Sequence, residues 1–260
     1  MKGQDRRKLN EKDFDSWTAL HHAVDAGHED IVELLLRHGA NKKIKLNGCG
    51  SSALHLAAET GSFSIAQRLV GNRKQICLPK NKSQRTPLHV AALRGHLRLV
   101  QLFVEHAKET SPRDESGVTP LHLACEGGKL SVVEFLMEME DSDGKRPQDD
   151  SGDTPLFKAV EKGHVEIVDF LLSDSDDKNP KNFHGFTPLH QAAINGNQEI
   201  VKLIVDNLHG QDVNPKYGSR TPLKYAKFHN HSTVVEYIEQ KLADARNMVA
   251  VPEKKRRKMK

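Results

Sequence analysis

One motif recurs seven times along the 260-residue chain, and it constrains the fold more than any other feature of the sequence. Successive copies are 33 to 35 residues apart when they are aligned on a threonine or serine. These aligned residues are Thr18, Ser52, Thr86, Thr119, Thr154, Thr187 and Thr221. Self-similarity at such a period indicates a repeat architecture in which each copy is one small supersecondary unit.

The third copy, TPLHVAALRG, shows the local logic of the motif. Thr86 is suited to cap a helix, and Pro87 follows at the first helical position. Proline lacks an N–H, but an N–H at this position would have no intrahelical acceptor. Gly95 comes nine residues after the threonine and suits the left-handed residue that ends a helix. Asn230 replaces this glycine in the last copy and tolerates the same conformation. Each copy therefore begins with one short helix.

A second helix follows in each copy, and a turn precedes most of the threonines. In the third copy Leu99, Val100 and Phe103 have the spacing of one helix face. The segments DESGVT, DDSGDT and NFHGFT place Asp or Asn five residues before the threonine and Gly two before it, which is turn chemistry. Helices this short are marginal alone, so the sequence predicts helix pairs that stack on their neighbours as an all-α repeat solenoid.

The shared pattern DxxGxTPLHxAAxxGHxxIVxxLL resembles the ankyrin repeat. The resemblance implies an ankyrin-type stack of helix-turn-helix units with β-turn fingers along one edge. We expect a flexible N-terminal segment (1–13), a repeat domain (14–246) and a basic C-terminal tail (247–260), with repeats starting near residues 14, 48, 82, 115, 150, 183 and 217. The first and last copies depart from the pattern, at Ala19, Lys224 and Lys227, as capping repeats would.

No residue pattern points to catalysis. His89 occupies a slot that also holds His21, His55, His122 and His190, whereas a catalytic histidine appears once. Cys125 takes the place of an alanine, and His122 and Cys125 lack a second ligand pair for zinc. The chain has no Ser-His-Asp arrangement, P-loop or dinucleotide-binding glycine motif. We therefore predict a non-enzymatic protein without cofactor, metal or small-molecule substrate.

The resemblance places partner binding in a concave groove lined by the fingers and the ends of the first helices. Positions seven and eight after each threonine vary between copies whose framework residues agree, so these slots are free for function. The candidates are rich in acidic and aromatic side chains, which predicts a protein segment with basic and apolar character as partner. They are Leu93, Arg94, Glu115, Glu126, Asp150, Asp153, Glu161, Lys162, Phe183, His184, Phe186, Ile194, Asn195, Tyr217 and Phe228.

These features favour a scaffold or adaptor that binds a protein segment in this groove. One alternative is a nuclear regulator that masks or bridges transcription factors, and another is the targeting subunit of a larger enzyme complex. Phe186 has its own alternative, because it could pack one finger against the next.

The positive charge lies in the tail. The chain carries a formal charge of +4, but PEKKRRKMK at its end holds six basic residues and one acid, which leaves 33 basic and 34 acidic residues elsewhere. Nucleic acid is therefore expected to bind weakly, through the tail alone. The tail resembles a monopartite nuclear localisation signal, although a flexible charged terminus is the alternative. The signal would comprise Lys254, Lys255, Arg256, Arg257 and Lys258.

The remaining features predict an intracellular monomer in the nucleus, the cytoplasm or both. Three cysteines without paired spacing fit a reducing compartment, and the sequence has neither a signal peptide nor a membrane-spanning apolar run. Two acidic loops follow second helices. They are either solvated loops or targets of acidophilic kinases, in which case the candidate sites are Ser142, Ser173 and Ser175.

Overall fold

The computed structural model describes residues 8–71, 75–139, 146–208 and 212–249. Within these ranges the chain forms seven pairs of α-helices and no β-strand. The helices belong to two compact units, one ending at Asp150 and the other beginning at Ser151. None of the helices in the described ranges is both long and apolar enough to cross a bilayer.

The first unit contains four helix pairs. They are α1 (Ala19–Asp25) with α2 (Glu29–Arg37), α3 (Ala53–Thr60) with α4 (Phe63–Val70), α5 (Pro87–Arg94) with α6 (Leu97–His106), and α7 (Pro120–Glu126) with α8 (Leu130–Met139). The first helices of consecutive pairs pack on one another, and so do the second helices. The core between them is aliphatic and includes Leu88, Leu99 and Phe103, all 1% exposed or less.

The second unit contains three helix pairs. They are α9 (Pro155–Lys162) with α10 (Val165–Ser173), α11 (Pro188–Asn195) with α12 (Gln198–Asn207), and α13 (Pro222–Phe228) with α14 (Ser232–Val249). The packing scheme is the same as in the first unit. The proposed boundary of the repeat domain at residue 246 lies within α14, and the three-part division of the chain stays a prediction.

The starts and ends of the first helices follow from the repeated residues. Thr86 has extended backbone, and a reciprocal capping box joins it to His89 at the start of α5. Gly95 ends that helix with a φ of +83°. Asn230 adopts a φ of +60° after α13, so the asparagine substitutes for glycine in the last copy as its chemistry predicts.

Several fingers are turns closed by an Asp or Asn residue. The Asn182 N–H donates to the Phe186 carbonyl at 2.9 Å, and the Asn182 Oδ1 accepts from the Phe186 N–H at 2.9 Å. Asp114 closes its finger onto Val118 in the same way. These closed turns hold the residue that follows the Asp or Asn at the finger tip.

Neighbouring fingers are joined through their tips. In the first unit, the N–H groups of Lys82, Glu115 and Asp150 donate to carbonyls of the preceding finger at 2.9 to 3.1 Å. In the second unit, the Phe183 N–H donates to the Ser151 carbonyl at 3.0 Å. Within each unit, therefore, the backbone sets the spacing between the tip side chains of the linked fingers.

Candidate partner-binding surface

The repeated histidines belong to the framework. In the third copy the His89 Nδ1 accepts from the Thr86 N–H at 3.1 Å, and its Nε2 lies 3.1 Å from the Val118 carbonyl. His55 bridges Ser52 and the Arg85 carbonyl in the same manner. Because Nδ1 accepts, the ring proton is on Nε2, which donates to the carbonyl. Both nitrogens are used, so neither ring offers a free base.

Burial keeps these rings neutral. It lowers the pKa of both His55 and His89 to about 4, against the opposing effect of their carbonyl partners. Burial also lowers the pKa of His190 to about 4. In the part of the chain that the structure describes, no group of three or more His, Cys, Asp or Glu side chains is arranged to hold a metal ion.

The side chains at the variable helix ends and finger tips of the first unit differ in their contacts and in their exposure to solvent. Arg94 pairs with Glu59, the equivalent end of the preceding first helix, and this contact raises the pKa of Arg94. Leu93 and Glu126 are half-buried, whereas Glu115 and Asp150 are exposed at finger tips. The two acidic tips and Arg94 are thus the exposed residues of this predicted set.

Two predicted residues of the second unit make contacts within it. Asp153 accepts from the Asn182 amide at 2.9 Å and forms an ion pair of 3.2 Å with Lys158. The Asn195 amide donates to the Glu161 carbonyl at 3.0 Å, which ties the ends of two first helices together. These two side chains are therefore committed to contacts within the unit.

The other helix-end residues of the second unit lie at its surface or close to it. Glu161 and Lys162 are exposed. Ile194 is half-buried, and its carbonyl accepts from the His231 ring at 2.8 Å.

Aromatic side chains distinguish the second unit. Phe183 is 68% exposed at one finger tip, Tyr217 is 36% exposed at the next, and Phe228 is 80% exposed at the end of α13. His184 beside Phe183 is exposed as well. A protein that leaves large aromatic rings in water at variable slots offers anchors for a partner.

Phe186 lies beneath this surface in a cluster of rings. Its centroid is 4.9 Å from that of His190, 5.2 Å from that of Tyr217 and 5.9 Å from that of Tyr225. Phe186 therefore packs one finger against the next. Tyr225 belongs to this cluster but is not among the residues predicted from the sequence. The sequence carries a signal for it, because the equivalent position in other copies holds the non-aromatic residues Leu56, Val90 and Gln191.

The predicted modification and localisation sites fall in two groups. Ser173 and Ser175 are described, and their hydroxyls donate to the Phe170 carbonyl at 2.6 Å and the Asp177 carbonyl at 2.8 Å. Ser142 and the basic run 254–258 lie outside the described residues. Phosphorylation and nuclear import stay predictions.

The stacked helix pairs with turn fingers define a class of helical repeat protein, and comparison with known proteins names the family. A model described as "Ankyrin repeats (3 copies)" matches residues 2–79, 54–146, 88–182, 143–217 and 176–248. The chain belongs to the ankyrin repeat family. The predicted all-α ankyrin-type solenoid is thereby confirmed.

Solved structures agree with this assignment. In all, 576 solved chains match, among them the crystal structure of the human ASB11 ankyrin repeat domain. That likeness has a TM-score of 0.71 and 22% sequence identity, and it covers 83% of this chain and 96% of the other. At this identity the likeness shows the fold alone. A comparison with curated protein sequences finds no match.

Family membership defines the general role of the chain. Ankyrin repeats are generally modules of protein–protein interaction, and proteins built from them are typically non-enzymatic. The variable, exposed slots described above are therefore candidate partner contacts.

Proposed function

We propose that this protein is a non-enzymatic scaffold that binds a segment of another protein through its finger tips and first-helix ends. The observation that carries the proposal is the exposure of Phe183 and Phe228 at slots where the copies of the repeat differ. Because both rings are in contact with water, a role in packing the repeats together is disfavoured.

The contrast between slots supports this proposal. The copies agree at the capping and helix-stop positions, where local backbone geometry demands particular residues. The finger-tip slot instead holds Phe14, Gly48, Lys82, Glu115, Asp150, Phe183 and Tyr217. A position that tolerates such different side chains contributes little to the shared fold and is free to meet a partner.

The chemistry of the slots specifies the partner. Full burial of one phenylalanine side chain contributes about 1.5 to 3 kcal/mol, so Phe183 and Phe228 are suited to apolar anchors. Glu161 in the second unit and Glu115 and Asp150 in the first are exposed carboxylates that would attract basic residues. The proposed ligand is a segment that combines apolar and basic side chains.

The experiment begins with proximity labelling in cells to identify partners, followed by calorimetry with the partner segment. Changing both Phe183 and Phe228 to Ala should weaken binding by at least about ten-fold, because two anchor rings are lost. The matched control is Leu34→Ala, which removes an exposed apolar side chain from the second helix α2, outside the proposed surface, and should leave the affinity unchanged. Unchanged affinity in the double variant, with an unchanged melting temperature, would show that the aromatic surface is not the binding site.

A second candidate function, nuclear regulation through transcription factors, is favoured by the basic run 254–258 alone. It uses the same surface and adds import into the nucleus. Imaging the chain with Lys254, Lys255 and Arg256 changed to Ala tests it, and exclusion from the nucleus is the expected result. An unaltered distribution would contradict this candidate function but not the proposed binding surface.

A further inference from the structure

A second surface of the first unit lies away from the helix-end slots, where the chain leaves α4. Residue 76 pairs with the segment after α6, since the Ile76 N–H donates to the His106 carbonyl at 2.8 Å and the Lys108 N–H donates to the Ile76 carbonyl at 2.9 Å. This is the one parallel bridge within the described ranges. A cavity lies between the end of α4 and the segment that contains Ile76, Cys77 and Pro79.

The cavity is lined by both apolar side chains and lysines. Its volume is about 530 Å³, and its apolar lining includes Leu69, Val70 and Ile76. The lysines that line it are Lys42, Lys43 and Lys45, and no carboxylate is among the described residues that line it. Such a cavity suits an apolar group attached to a negative charge.

Two of these lysines are anchored to backbone carbonyls. The Lys42 ammonium donates to the Leu69 carbonyl, and the Lys45 ammonium donates to the Lys80 carbonyl at 2.6 Å. A carbonyl accepts one of the three ammonium donors but carries no net charge. The like charges still repel one another, and a bound anion would relieve that repulsion.

A second cavity of about 370 Å³ shares Ile76 and Cys77 with the first. It is lined by Lys80 and Lys108, with Glu109 as the one carboxylate among its described lining residues. Among the described residues that line the two cavities, five are therefore lysines and one is a glutamate. Two adjoining cavities on either side of one backbone segment fit an extended chain with two anchors better than a single compact anion.

We infer that these paired cavities form a second docking site, which takes an acidic protein segment with apolar anchor residues. The site is independent of the proposed groove and has the opposite charge preference, so one chain would hold a basic segment and an acidic segment at once. Apolar side chains of the ligand enter the two cavities, and its carboxylates meet the lysines that line them.

The test measures fluorescence anisotropy of a short dye-labelled peptide that carries two leucines among aspartates. Binding to the full chain is expected. Changing both leucines to serine should weaken it at least ten-fold, and so should changing the aspartates to asparagine. Equal binding of the leucine and serine peptides would overturn the proposal, because charge attraction alone would then explain the complex.

Variants of the protein locate the site. Lys43→Glu with Lys108→Glu places one charge reversal at each cavity and should weaken the leucine peptide at least ten-fold. Lys181→Glu with Lys216→Glu makes the same change in charge at exposed positions of the second unit and should leave affinity within two-fold. An equal loss in both pairs would mean that net charge, not these cavities, governs binding.

Cys77→Trp separates shape from charge. Cys77 is exposed and lines both cavities, so the indole should occupy the space while leaving every lysine in place. The leucine peptide should then bind no better than the serine peptide. Retention of the full leucine preference would overturn the proposal, as would tighter binding of anionic lipid vesicles or duplex DNA than of the peptide. Self-association of the chain through the same lysines, seen by light scattering, would also contradict it.

Discussion

At the scale of single residues, the repeated histidine does two jobs in each copy. The His55 Nδ1 completes the cap of its own helix at Ser52, and its Nε2 reaches the Arg85 carbonyl of the next repeat. Protonation of Nδ1 would remove the acceptor that the Ser52 N–H requires. The neutral ring is therefore a condition of the folded state, and the stability of the chain should depend on pH.

The sign of that dependence follows from the lowered pKa values. His55 and His89 have a folded pKa of about 4 and an ordinary value of 6.5, so the unfolded chain binds more protons between these limits. Stability is full above the ordinary pKa and is lost as pH falls towards about 4. Between about pH 7 and pH 5, urea denaturation should show a loss of about 2 kcal/mol of unfolding free energy per histidine.

His89→Gln provides the control for this prediction. Glutamine does not titrate, so the variant should be less stable than the parent at neutral pH but should lose about 2 kcal/mol less on acidification. A parallel pH profile in the variant and the parent would show that His89 does not contribute to the acid sensitivity.

At the scale of helices, the close approach of α5 and α7 depends on a residue that looked variable. A Cβ atom added to Gly127 would lie 2.3 Å from the Leu93 carbonyl oxygen, which is backbone and cannot rotate away. Gly127→Ala should therefore push the two helices apart and cost about 1 to 3 kcal/mol of stability, measured by thermal or urea unfolding.

Gly48→Ala is the matched control for the change at Gly127. Gly48 sits at a finger tip, and an added Cβ would meet no atom within 4 Å. Its substitution should change stability by no more than about 0.5 kcal/mol. If both variants unfolded at the same denaturant concentration, the close contact of α5 and α7 would not limit their packing.

Gly127 also shows that contacts between repeats are not predictable from the pattern within one repeat. The helix pairs, their caps and their stops could be predicted because Thr86, His89 and Gly95 act on backbone within their own copy. Gly127 and Leu93 meet only in the stack, and they occupy two slots, the eighth and the seventh after the threonine, that vary between the copies. The Arg94–Glu59 contact is of the same kind, since it joins two slots that each looked free for a partner.

The lysine-lined cavities are harder to predict from the sequence than the aromatic surface is. Phe183 and Phe228 stand out in the sequence because the slots they fill are periodic. Lys43 and Lys108 belong to connecting segments without a repeated pattern, and only the pairing of Ile76 with the chain after α6 brings their surroundings together. A contact between irregular segments has no periodic signal in the sequence.

At the scale of the whole molecule, each unit is a one-dimensional stack. In the first unit α3 packs on α1 and α5, and α5 packs on α3 and α7. Each helix pair thus depends on its immediate neighbours for burial. In such a stack stability is approximately a sum of the terms for single repeats and for the interfaces between neighbours.

This organisation predicts a graded response to a local defect. Leu99 in α6 is 1% exposed, and Leu99→Ala should cost about 2 to 5 kcal/mol. Hydrogen exchange measured by mass spectrometry should show the largest loss of protection in α5 and α6, a smaller loss in α3, α4, α7 and α8, and the smallest in α1 and α2. Leu34→Ala is the control, because Leu34 is 55% exposed and its loss should alter protection little. A uniform loss from α1 to α8 in the Leu99 variant would instead show that the first unit unfolds as a single cooperative body, in which the interfaces between repeats dominate the stability of the repeats themselves.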